Sequence, residues 1–365
     1  MATTKVVNDL IDLNQTGNTT ALKGCKGTTA QQPGKTGQPA AVEGMLRTNT
    51  SLTSNGSASA MQFYKNTGFS MTSGWVVLTN DKLPSVSYLV IAGGGAGNRG
   101  YSGAGGAGGY RTNYGGTPLP LIANTSYTVT VGDGGITGLN IGAGVNSTFA
   151  SITSSGGGGG GGDVPTYGNT GWMIGKSGGS GGGSGYSGAP AGGSGNSGGY
   201  TPVEGYDGGA GNESGSASGG GGGGAGAVGS SKNTRPGVGG AGIFSDITGV
   251  NTQRGGGGTG AAIWYVDSDF AGGAGGGGGG ASYYFNYTGS AGVDGKGGGG
   301  GGGIDATQGQ NFSGGSGTVI LRYDPSFTIN IDTGNLVTST LNGIVTGGTD
   351  KYTEFTGGTG TIKIN

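Results

Sequence analysis

Ten aromatic residues stand out as the groups of this sequence best suited to chemistry: Tyr167, Trp172, Tyr200, Tyr206, Trp264, Tyr265, Tyr283, Tyr284, Phe285 and Tyr287. They sit in segments that join runs of glycine, among Asn, Ser and Gly. Rigid rings supply contact area and small polar neighbours supply adaptable hydrogen bonds, the combination that binding loops use. The chemistry predicted is recognition, by stacking on sugar faces or by clamping a loop of a surface protein. The same rings could instead cap the ends of a glycine-built body that has no other apolar mass. Phe270 and Phe312, beside glycine runs, fit the capping role best.

Bond-making chemistry finds little support. Histidine is absent and Cys25 is the single cysteine, which excludes disulfide frameworks, thiol zinc sites and every Ser-His or Cys-His nucleophile. Asp267 and Asp269 would share a face if residues 264–270 are extended, and paired carboxylates can hydrolyse glycosides. Asp246, Asp294 and Asp305 are equally plausible by sequence, so no pair is marked. Polysaccharide depolymerase activity is a minor alternative, and the expectation is no enzyme. A calcium loop lacks its spaced aspartates. Gly34-Lys35-Thr36 fails as a phosphate loop because Thr29 stands where a glycine is required. The strand-to-glycine stretch 85–97 leads into more glycine, where a helix would cost about 1 kcal/mol per residue; no dinucleotide site is expected. The sequence predicts no cofactor and no metal. Sequons such as that at Asn146 reflect abundant Asn and Thr.

The elements that must hold these rings follow from composition. The chain has 365 residues, of which 101 are glycine and 31% hydrophobic, with a net charge of −1. One large apolar core is not expected, and near-neutrality removes the electrostatic case for nucleic acid or anionic membrane. No run approaches the roughly 20 apolar residues of a membrane span, and MATTKVVNDL carries no apolar signal core, so neither membrane insertion nor a leader is expected.

Three regions emerge. Residues 1–84, poor in glycine, read as an attachment module. A short amphipathic helix around Val6–Leu13 is followed by a β-meander through 44–50, 60–64 and 74–79. Residues 85–323 alternate strands with the glycine runs 156–162, 219–224, 255–258, 275–280 and 297–303. Residues 324–365 alternate apolar and polar residues across Gly turns. They predict a small β-sheet, either packed on the preceding region or pairing with copies of itself.

Long glycine runs usually mean flexible linkers, yet linkers do not normally bracket themselves with strands or carry Trp and Tyr at each gap. The ordered alternative is a polyglycine-II helix, with three residues per turn and about 3.1 Å rise. Such helices, lacking Cβ atoms, can bond laterally in all directions. The fold class expected is mainly β with packed polyglycine-II helices, a glycine-rich sandwich flanked by small β modules.

The series GMLRTN (44–49), QFY (62–64) and GWVVL (74–78) resembles a short β module of bacteriophage tail-fibre and other virion proteins. The ordered series GGGAG (93–97), GGYRT (108–112), SYTVTVGDGG (126–135), NSTFASITSSGGGG (146–159) and GGSGTVILRY (314–323) is similar to the glycine-rich domain of tail-fibre adhesins, including the T-even tip adhesins. That resemblance implies a virion receptor-binding protein. Its N-terminal module would bind other virion proteins, and its aromatic loops a host surface glycan or outer-membrane protein. A homotrimer is the usual fibre state, although the tip adhesins act as monomers. The alternative is a capsid fibre or head decoration protein with a structural role.

Overall fold

The computed structural model describes residues 25–27, 46–49, 60–65 and 74–78, and residues 83–365 except 138–141, 163–172, 187–190, 213–217, 232–234, 264–269, 285 and 305–311. The chain divides into two compact units, Met1–Lys82 and Leu83–Asn365. In the first, β1 (Cys25–Gly27), β2 (Leu46–Asn49), β3 (Ala60–Lys65) and β4 (Gly74–Leu78) form one sheet in sequential order. The expected meander is present as the antiparallel series β2–β3–β4, and β1 adds a parallel edge strand. The helix expected near Val6–Leu13 lies outside the described residues.

The second unit is built on two sheets. One has the order β15 (Val337–Ile344), β16 (Lys351–Gly357), β13 (Thr318–Tyr323), β5 (Ser85–Ile91) and β6 (Tyr110–Thr112), with β7 (Leu119–Pro120) also paired to β5. The other runs β10 (Ile152–Ser154), β9 (Ser147–Phe149), β8 (Tyr127–Thr130), β17 (Thr359–Ile364) and β14 (Ile329–Gly334). A separate hairpin joins β11 (Ile243–Ser245) to β12 (Thr252–Arg254). Alternation along β5 sends Val86, Tyr88 and Val90 to one face, where they meet Val319 and Leu321 of β13, Phe149 of β9 and Ile362 of β17 in the shared core. Leu89 and Ile91 turn the other way, against Tyr110, Ile247 and Ile320. The described residues are thus mainly β and include no helix.

Residues 324–365 complete both sheets. β16 pairs with β13 and β17 with β8, so this segment takes the packed alternative of the two expected from its sequence. A polar staple fixes the join. The Tyr323 hydroxyl donates to Asn342 Oδ1 at 2.7 Å and lies 2.8 Å from Thr353 Oγ1, while Asn342 brackets Ile329 through its main chain. Burial pushes the Tyr323 phenol from 10.0 up to about 12, opposed by the Thr353 hydrogen bond. The fold therefore favours the protonated ring. Its contribution is intact below the ordinary phenol value and is lost as pH rises through about 12. Stability in urea should fall by about 1.4 kcal/mol per pH unit in that window, and Tyr323→Phe should flatten the slope.

From the sheets, glycine-rich tracts run outward side by side, bonded mostly from main chain to main chain. Ala92 and Gly95 donate to Gly109 and Gly106; Gly93 and Ala96 to Val145 and Gly142; Gly94 and Gly97 to Gly315 and Phe312. Six consecutive amides thus serve three neighbours, each met at every third residue. The next tract repeats the pattern. Ser102, Gly105 and Gly108 donate to Gly303, Gly300 and Gly297, whereas Gly103, Gly106 and Gly109 donate to Gly161, Gly158 and Ser155. Ala104 and Ala107 reach Gly220 and Gly223. Carbonyls of each tract accept from further neighbours, such as Gly93 from Gly157 and Gly95 from Gly300. Buried peptide groups must be paired, and this slab pairs them without strands or α-helices. The approach leaves no room for side chains: a Cβ on Gly94, Gly97 or Gly105 would come closer than 3.0 Å to a neighbouring carbonyl.

Candidate functional site

The direction of the tracts sorts the connections between them. The tract that leaves β5 at Ala92 ends at Asn98, whose carbonyl accepts from Gly303 N–H and, at 2.6 Å, from Ser102 Oγ. Gly161 N–H pairs with Gly183, and Gly185 N–H with Met173, so the ends near 162, 173 and 185 lie there too. A row of single bridges continues the edge, Asn212 to Ser218, Ser218 to Ala262, Ala262 to Ser282 and Ser282 to Tyr287. The described residues that flank the connections 98–102, 162–173, 212–218, 262–270, 282–287 and 304–312 therefore share the end of the slab opposite the sheets.

A small core seals this end. Ala261, Ala281, Ile304 and Phe312 are buried together, with Tyr101 packed against them. Tyr101 meets Tyr186 edge-on at 5.7 Å. Phe270 is buried and stacks on Tyr287 at 5.6 Å. Phe270 and Phe312 thus take the capping role expected of them. Neither Tyr101 nor Tyr186 was among the sequence candidates; the only cue was the position of Tyr101 between glycine clusters.

Outside that cap stands a tight turn carrying three of the candidates. Ser282 and Tyr287 exchange main-chain hydrogen bonds at 3.0 and 3.2 Å, and Asn286 N–H reaches the Tyr283 carbonyl. Asn286 takes a φ of 50°, a left-handed conformation that Asn accepts better than most residues. Tyr283, Tyr284 and Tyr287 are 57%, 56% and 50% exposed, and the rings of Tyr283 and Tyr284 meet edge-on at 6.0 Å. The turn therefore presents phenol rings and hydroxyls already oriented by one another.

The remaining candidates divide. Tyr167, Trp172, Trp264, Tyr265 and Phe285 lie outside the described residues. Tyr206 is exposed but sits at the sheet end, its N–H bonded to Gly224 and its carbonyl to Gly181 N–H. Tyr200 is also at the sheet end. Its ring lies 3.8 Å under the Arg111 guanidinium, and its N–H is held by Asn196 Oδ1. That turn is anchored by Glu204, fully buried, whose carboxylate accepts from Ser155 N–H at 2.9 Å and Gly198 N–H at 3.3 Å.

Among the described residues no group of three or more acidic residues or cysteines is placed to hold a metal ion, and no helix is long and apolar enough to cross a membrane. The described residues of this end can stack and hydrogen-bond, and Asp267, Asp269 and Asp305 lie outside them.

A family model described as a glycine-rich domain matches residues 71–324, more than two thirds of the chain. No curated protein and no solved structure gives a significant match.

Proposed function

This chain belongs to the glycine-rich domain family, and on that premise we propose that it is a bacteriophage virion protein, a tail-fibre adhesin that recognises the host cell surface. The observation that carries this reading is the segregation of the two ends. Both sheets and their apolar core occupy one end, while connections rich in Tyr, Trp, Asn and Ser start from described residues at the other. Exposed rings on a stiff support lose little entropy on binding, which favours affinity from a small contact.

The three-residue period of the main-chain bonding supports a polyglycine-II geometry for the tracts, in which three residues make one turn. Residues 1–84 would join the chain to other virion proteins, and a host glycan or outer-membrane protein would be the target. Several copies per particle, as in a homotrimer, raise avidity far above that of one contact.

Adding the purified chain to a panel of candidate host bacteria tests the proposal. Saturable binding that blocks phage adsorption is the expected result. No binding to any host, together with antibody labelling of heads and not tails, would overturn it in favour of a capsid fibre or decoration role.

A further inference from the structure

The polar staple that joins the two sheets is built on a dipeptide with chemistry of its own. Asn342 precedes Gly343, one of two Asn-Gly pairs in the chain, the other being Asn55-Gly56. A glycine that follows asparagine puts no side chain in the way of its own amide nitrogen. That nitrogen can therefore reach the carboxamide carbon and close a five-membered imide. The fold calls for both residues. Asn342 takes a left-handed φ of 53°, which Asn accepts better than most residues, and a Cβ on Gly343 would press on Thr340 Cγ2.

In the folded chain the carboxamide is engaged by other strands. Its Oδ1 accepts from Ile329 N–H and from the Tyr323 hydroxyl, both at 2.7 Å, and its Nδ2 donates to the Ile329 carbonyl at 2.9 Å. Cyclisation needs Cγ turned onto Gly343 N, so the hydrogen bonds to β13 and β14 must break first. Asn342 N–H is held as well, by Thr353 Oγ1 at 3.0 Å. The strand that carries the pair is the place where the join can open. β15 lies at the edge of its sheet, and its register against β16 shifts three times, once between Thr340 and Gly343. Exposed, irregularly paired segments open locally at lower cost than the core.

We propose that Asn342 is a deamidation site gated by this staple, silent while Tyr323 and Ile329 hold it and converted once β15 comes away from them. Gly343 N gives its proton to solvent base and bonds to Asn342 Cγ. The Cγ–Nδ2 bond then breaks, and ammonia leaves with a proton returned by solvent. Water opens the imide at the side-chain carbonyl to give aspartate, or at the main-chain carbonyl to give isoaspartate. The change is one-way. The donor that faced the Ile329 carbonyl becomes a carboxylate oxygen, acceptor against acceptor, and isoaspartate routes the main chain of β15 through Cβ. A chain held open therefore loses the means to restore the join. The site does not depend on the adhesin reading.

Peptide mapping by mass spectrometry tests this on the full chain at mildly alkaline pH, with isoaspartate counted enzymatically. In guanidinium, Asn55 and Asn342 should convert at similar rates, and Asn55 shows that the reaction is running. In the folded chain Asn342 should convert at least about tenfold more slowly than in guanidinium, with incubation continued until conversion is seen. Tyr323→Phe removes one hydrogen bond and leaves the dipeptide intact. It should raise the folded-state rate about fivefold without changing the rate in guanidinium. Asn342→Asp carries the product side chain and should unfold at lower denaturant than the parent, or fail to fold. Equal rates at Asn342 in the folded and unfolded chains would overturn the proposal. So would an intact Asn342 where Asn55 has converted, a parental folded-state rate in Tyr323→Phe, or parental stability of Asn342→Asp.

Discussion

Gly105→Ala is expected to prevent folding of the second unit. Gly105 lies in the middle of a tract, and a Cβ there would press on the carbonyl oxygen and carbon of Gly95 and on Ala96. These are main-chain atoms fixed by their own hydrogen bonds, since Gly95 N–H is held by Gly106 and its carbonyl by Gly300. No side chain can rotate away, so the cost exceeds the roughly 1–3 kcal/mol of ordinary overpacking. Domains of this kind have only about 5–15 kcal/mol to lose. Gly357→Ala is the matched comparison. A Cβ at that strand position would meet only Val337, at 3.8 Å, and the substitution should be neutral or stabilise by about 0.5 kcal/mol through the unfolded chain. Soluble yield and calorimetric unfolding of the two variants make the measurement. A Gly105→Ala protein that melts like the parent would mean that the tracts do not pack as described.

The double substitution Tyr283→Ala, Tyr284→Ala carries the other large effect. Both rings are more than half exposed, so thermal unfolding should hardly change. Host-cell affinity should drop about 30-fold or more if the pair forms a recognition hot spot, for which truncation costs about 2 kcal/mol or more. Phe312→Ala should behave in the opposite sense. Its side chain is fully buried in the cap, and deletion of such a ring costs about 3–5 kcal/mol of stability. Parental affinity in the tyrosine variant, measured on intact cells by fluorescence titration, would sink the assignment of this turn to binding.

Much of the sheet architecture was legible in the sequence, because side chains specify it. The alternation in SVSYLVI and TVILRY places β5 and β13 with little ambiguity, and β2–β4 are short runs of β-formers punctuated by turn residues. The partners of each glycine tract were not legible. Glycine has no side chain to encode a neighbour, and Gly93, Gly94 and Gly95 are chemically alike though their amides serve three different segments. The ends were hidden for the same reason. Tyr206 and Tyr283 stand in similar glycine-rich surroundings, but an even or odd number of passes decides which end each reaches.

The three-step rhythm of bonding in the slab restricts how such a chain can change length. Removing one residue from the tract at 102–109 would rotate every later amide toward the wrong acceptor, so that donors meant for the 297–303 segment would face 220–223 instead. Deleting a triplet restores the phase and merely shortens the body by one turn. Connections at the tract ends carry no such phase, and residues can be gained or lost there singly. Lineages of this architecture should therefore keep a triplet reading frame of shape within the slab while their tips diversify freely in length, and an aligned family would show indels in threes inside and of any size outside.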